Sequence, residues 1–194
     1  MNLYIEELKR ALDHVEIITS NAVNLDYTEG ICKLVQVFAE YKKSKKNVYF
    51  CGNGGSAGIS QHMTADFFKN GGILTHSLYE QATLTCLSND LSYEYVFSKQ
   101  LELMAKEGEL LVAISSSGES ENIVKAIEAI RKINGKVITL TGFDENNRIR
   151  KMGDINIYIP KKHYGIVESI HTIILQQIVD HIVDEDGVAL KLLI

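Results

Sequence analysis

The segment ISSSGESENIV, residues 114–124, crowds Ser115, Ser116, Ser117 and Ser120 around Gly118, just where an apolar run gives way to a helical pattern. Hydroxyls and free backbone N–H groups converge at such a helix start, and the macrodipole favours an anion there. One serine is enough to cap a helix. Four exceed that need and suit the oxygens of a phosphate dianion, with no arginine required. A second strand-to-helix turn, CGNGGS at residues 51–56, holds Gly52, Gly54 and Gly55. Glycine permits positive φ and close approach of the backbone to a ligand oxygen. The pattern is neither GxGxxG nor a P-loop, so its spacing reads either as a plain tight turn or as a cradle for an oxyanion or a sugar hydroxyl. The helix that opens on Ser56 carries His62 and Asp66 at i, i+4, on one face. That pair is half a metal site, or two hydrogen-bonded polar residues beside a cleft.

These groups need a scaffold, and the hydrophobic pattern supplies one. Short apolar runs at 48–51, 110–114, 137–140 and 155–159, with a weaker one at 73–78, alternate with helical patterns at 56–69, 93–106, 121–133 and 145–151. Continuous apolar strands separated by helices pair in parallel with both faces covered. The expected fold is α/β, a three-layer αβα sandwich with a doubly wound parallel sheet, whose ligands lie beyond the carboxyl ends of the strands. Both special turns sit at such ends. Residues 1–45 read as a pair of helices, with Leu8, Ala11, Leu12, Val15 and Ile18 on one face of the first and Ile31, Leu34, Val35, Phe38 and Tyr41 on one face of the second. Residues 24–28 connect them. A last helix at 165–184 is apolar on more than one stripe, which points to burial on two sides and a subunit interface. An apolar tail follows at 185–194.

The chain of 194 residues reads as one domain, with residues 46–184 as the α/β core. Hydrophobic residues at 45% and a net charge of −5 describe a soluble globular protein and speak against a nucleic-acid partner. The lysines of KKSKK, residues 42–46, close a helix where they complement its dipole. Cys32, Cys51 and Cys86 are scattered, as expected of free thiols in a reducing cytoplasm. The first residues lack the apolar core of a signal peptide, and no run approaches the ~20 apolar residues that cross a bilayer. Pro160 is the sole proline, so no proline-rich linker divides the chain.

Taken in order, CGNGGSAGISQH, SND, ISSSGESENIVKAI, VITLTG and VESIH resemble the sugar isomerase (SIS) domain, and most closely the phosphoheptose isomerases. These interconvert sedoheptulose 7-phosphate and D-glycero-D-manno-heptose 7-phosphate. The resemblance implies a five-stranded parallel sheet in flavodoxin-like order. It also implies a homotetramer whose active sites are shared between subunits, with the N-terminal and C-terminal helices in the interface. Asn53, Gly54, Gly55 and Ser56 match the substrate-binding turn, Ser115, Ser116, Ser117 and Ser120 the phosphate loop, and Asn89 with Asp90 a substrate-contacting pair. His62 matches a histidine able to ligate zinc. Asp66 stands where the family has its catalytic glutamate, Glu168 where it has a glutamine, and Gln176 where it has a catalytic histidine. Asn70 stands in place of an arginine. His171 has a counterpart in the family, yet it reads, with His163 and His181, as a capping or interface residue.

Isomerisation through an enediol needs a base for a carbon-bound proton. The expected machinery is Asp66 with Glu168, assisted by His62, while Gln176 binds substrate. Zinc held by His62, Asp66, Glu168 and Gln176 is possible, and no cofactor is obligatory. The expected partners are a phosphorylated sugar and further copies of the chain, with no nucleic acid and no membrane. The alternative is a non-catalytic SIS module that binds a sugar phosphate or a protein, since glutamine at 176 cannot replace histidine in proton transfer.

Overall fold

The computed structural model describes residues 2–185; the apolar tail expected over 188–194 lies outside the described residues. The chain runs α1 (Asn2–Asp13), β1 (Glu16–Thr19), β2 (Asn24–Leu25), α2 (Tyr27–Ser44), β3 (Val48–Gly52), α3 (Gly55–Lys69), β4 (Thr75–Ser77), α4 (Gln81–Asp90), α5 (Ser98–Met104), β5 (Leu110–Ser115), α6 (Glu121–Arg131), β6 (Lys136–Gly142), β7 (Ile155–Ile159) and α7 (Tyr164–Glu185), with 3₁₀ turns at Tyr93–Tyr95 and Ile149–Lys151. Among the described residues no helix is long and apolar enough to cross a membrane.

One sheet has the order β2-β1-β7-β6-β5-β3-β4. Its five parallel strands, β3 to β7, follow the expected doubly wound order, with Ser115 opposite Thr141 where β5 and β6 end. Alternate strand residues feed two cores. Val48, Phe50, Val112, Ile114 and Ile157 pack under α1, α2, α3 and α7. Tyr49, Cys51, Leu111, Ala113 and Val137 pack under α5 and α6. Both faces are covered, as continuous apolar strands require.

The sheet is larger than the sequence suggested. Val15 and Ile18 do not extend the first helix: β1 pairs antiparallel with β7, and β2 with β1, giving seven strands. The β-branched stretch from Val15 to Thr19 suits a strand, and Ile17, fully buried, is its inward residue. Residues 1–45 are therefore not only a helical pair, because their hairpin completes the sheet. Asp26 and Glu29 then start α2 with a capping box.

Two helices shrink. The helix expected at 145–151 is a single 3₁₀ turn, because Asn147 is held in the loop by bonds to the carbonyls of Gly142 and Asp144 and by the N–H of Arg150. The one expected at 93–106 breaks where Val96 and Phe97 turn into the second core. One helix escaped notice, α4, capped by Glu80 and without a buried residue to mark its face. The apolar stripes of α7 are accounted for within the chain, since it packs on α1, α2, α3 and β6; Ile173 is an exposed exception.

Candidate active site

The turn from β5 to α6 is built to present oxygen-binding groups. Gly118 takes φ +70°, and a side chain there would strike Asn147. Ser115 Oγ accepts from the N–H of Gly118 at 3.2 Å and lies 3.3 Å from Ser120 Oγ. Ser120 is the residue before α6, yet its hydroxyl makes no capping bond, so it remains available to a ligand. Ser116 is buried and its hydroxyl has no partner. A buried unpaired hydroxyl is costly unless something fills the site.

The second turn, from β3 to α3, forms the other wall. Gly54 takes φ +56° and α3 begins without a side-chain cap, which leaves its first N–H groups open. The Tyr79 hydroxyl braces the strand end, 2.7 Å from both the N–H and the carbonyl of Gly52. Between the turns lies a cavity of about 120 Å³ lined by Asn53, Ser56, the four serines, Tyr164 and Glu168. The volume suits a phosphate group better than a whole sugar, whose remainder would extend outward.

Glu168 is the carboxyl group of this pocket. Its side chain reaches from α7 to Gly55 at the start of α3, and burial holds its carboxyl above the usual carboxylate range. One turn later His171, fully buried, turns Nε2 toward the Thr141 carbonyl at 3.2 Å. Burial lowers its pKa to about 4. His171 is thus a neutral packing residue that ties α7 to the end of β6, and neither a cap nor an interface residue. His163 does cap α7, accepting from the N–H of Ile166.

His62 and Asp66 pair at 3.4 Å on the open side of α3. Asn70 adds a long 3.5 Å contact to the same carboxylate. They are not in the serine pocket. Glu168 touches Gly55, and Asp66 lies eleven residues further along α3, about 16 Å away at the helical rise. Within one chain the expected Asp66–Glu168 pair is not assembled. Gln176 lies two turns beyond Glu168 on α7, and its amide donates to Asp180 at 3.0 Å. Among the described residues no three His, Cys, Asp or Glu side chains are grouped to hold a metal. The four expected zinc donors do not converge within one chain, and no step is routed through a metal. Asn89 and Asp90 sit exposed at the end of α4, bonded to each other at 2.8 Å, outside the pocket lining.

Three residues at the site had no sequence signal singled out: Tyr79, Tyr93 and Asn122. The tyrosines come from loops after β4 and α4, so only the folded topology brings them in. Asn122 follows the serine loop inside α6, where a buried polar residue on an apolar face was the available clue.

The profile of the SIS domain matches residues 6–142. The chain is 36% identical to the phosphoheptose isomerase of Serratia proteamaculans over 182 residues, covering 91% of each protein. It is 37% identical to that of Photorhabdus laumondii over 177 residues, covering 89% of each. The solved phosphoheptose isomerase of Neisseria gonorrhoeae superposes with a TM-score of 0.81 at 26% identity, over 93% of this chain and 95% of that one. The one from Francisella tularensis gives 0.81 at 27%, over 95% and 96%.

Proposed function

The chain belongs to the SIS domain family, and from that premise we propose that it is an aldose–ketose isomerase of phosphorylated sugars, interconverting sedoheptulose 7-phosphate and D-glycero-D-manno-heptose 7-phosphate. The observation that carries the reading is the serine pocket with Glu168 in its wall. The four serines and the start of α6 take the phosphate, while the glycine turn supports the sugar. Glu168 removes the proton from C1 of the ketose. The C–H electron pair becomes the C1=C2 bond of the enediol, and O2 takes up a proton. Return of the proton to C2, with loss of the O1 proton, gives the aldose, so no redox partner is required. A carboxyl above its usual range has a basicity nearer neutral pH, which suits this work.

His62 and Asp66 enter the same centre from a second copy, in a homotetramer with shared sites. The exposure of His62 on α3 and the separation of both residues from Glu168 support that arrangement. Asn89 and Asp90, at the exposed end of α4, contact the sugar beyond the phosphate. We place the enzyme in the cytoplasm, in heptose biosynthesis, a setting compatible with the free thiols of Cys32, Cys51 and Cys86. The test is incubation with sedoheptulose 7-phosphate in deuterated water. Aldose carrying deuterium at C2 is expected; neither product nor exchange, with or without added zinc, would overturn the isomerase reading for that sugar.

A further inference from the structure

Asn53 does not stand alone in the wall of the serine pocket. Its Oδ1 lies 2.9 Å from the Tyr93 hydroxyl and 2.9 Å from Nδ2 of Asn122, while its own Nδ2 lies 2.9 Å from Oδ1 of Asn122. Asn122 is buried in the first turn of α6, just past the serine loop. Tyr93 belongs to the 3₁₀ turn that follows α4. Three separate segments therefore meet on one amide group. An amide oxygen accepts two hydrogen bonds and an amide nitrogen donates two. Both acceptor sites of Asn53 are taken, and one N–H remains for the pocket it lines.

We propose that Tyr93 and Asn122 are positioning residues, which fix the Asn53 amide so that it offers the bound sugar a donor and not an acceptor. The proposal rests on the isomerase reading above. The reciprocal Asn53–Asn122 pair alone is degenerate, because exchanging O and N on both amides preserves both bonds. In the arrangement present the Tyr93 hydroxyl donates to Oδ1, a third contact that holds the pair with one Asn53 N–H left for the pocket. The choice matters chemically. Oxygen gains electron density as the enediol forms, so a fixed N–H stabilises it while a fixed carbonyl repels it. Tyr93 is 57% exposed, so its hydroxyl is not a core group and its removal can be separated from unfolding.

Tyr93→Phe keeps the ring and deletes only the donor. With sedoheptulose 7-phosphate, kcat/KM is expected to fall about 3- to 10-fold with an unchanged unfolding midpoint. The loss should nearly vanish in an Asn53→Ala background, because the two residues act as one unit. The same four proteins are titrated with this sugar phosphate by calorimetry, so binding and turnover are read separately. Parental kinetics in Tyr93→Phe, or losses that multiply independently in the double variant, would overturn the positioning role. A parent that neither binds nor isomerises the sugar refutes the isomerase reading and this inference with it. A parent that binds without turnover refutes the isomerase reading alone, and the cycle is then read on binding.

Discussion

Glu168 on α7 lies so close to Gly55, the first residue of α3, that any side chain at position 55 would occupy the place of its carboxylate. The glycine is required there for space. Gly55→Ala should therefore displace Glu168 while giving α3 a better helix former, by up to about 1 kcal/mol. The expected result is at least about a tenfold loss in kcat with retained or raised thermal stability. Steady-state kinetics beside thermal unfolding reads both, and unaltered kcat would mean that the carboxylate is not used where it lies.

Because burial raises the Glu168 pKa, the folded state holds this proton to higher pH than the unfolded chain does. Stability credited to the protonated group is complete below the ordinary value of 4.5 and is lost as pH rises through the folded pKa. Glu168→Gln should thus be at least as stable as the parent near neutral pH, with the difference disappearing toward pH 4, while turnover is abolished. In the parent, kcat/KM should rise with pH through a pKa above the ordinary carboxylate range. Urea unfolding across pH and a pH–rate profile test the two halves separately.

Ser116 offers a cleaner test of the phosphate pocket. Its buried hydroxyl bonds to nothing in the protein, so Ser116→Ala removes an unsatisfied group and should gain up to about 1 kcal/mol of stability. Binding of a sugar phosphate should weaken about 5- to 10-fold. Calorimetric affinity combined with denaturant midpoints distinguishes this from a structural serine, whose loss would lower both.

The distance between Asp66 and Glu168 within one chain makes subunit sharing testable. Asp66→Asn and Glu168→Gln, each inactive alone, should regain activity when co-expressed or refolded together. Random assembly leaves about a quarter of the sites with both groups intact. Mixed oligomers that stay inactive would disprove sharing of these two residues.

The parallel core was legible because its strands, such as residues 110–115 and 155–159, are nearly unbroken apolar runs that only a doubly covered sheet accepts. The serine loop was legible because hydroxyls at a helix start have few other uses. Two kinds of feature were not. Val15 and Ile18 fit a helical stripe and a strand equally well, and only pairing with Ile155–Ile159 decides between them. Around Asn53, the Tyr93 and Asn122 contacts join residues forty and sixty-nine positions away, and such convergence leaves no local pattern. The separation of Asp66 from Glu168 within one chain was illegible for the same reason in reverse: a shared chemical role implies nothing about distance within one chain.

The seating of β1 on β7 gives the molecule a seam between its first strand and its last. A parallel sheet ending at β7 would present a row of unpaired backbone groups, open to any strand of another molecule. The hairpin closes that edge with its own short, polar-tipped ribbon, and it can do so only after nearly the whole chain is in place. Removing the first two dozen residues would accordingly be felt first as aggregation, before any change at the distant pocket.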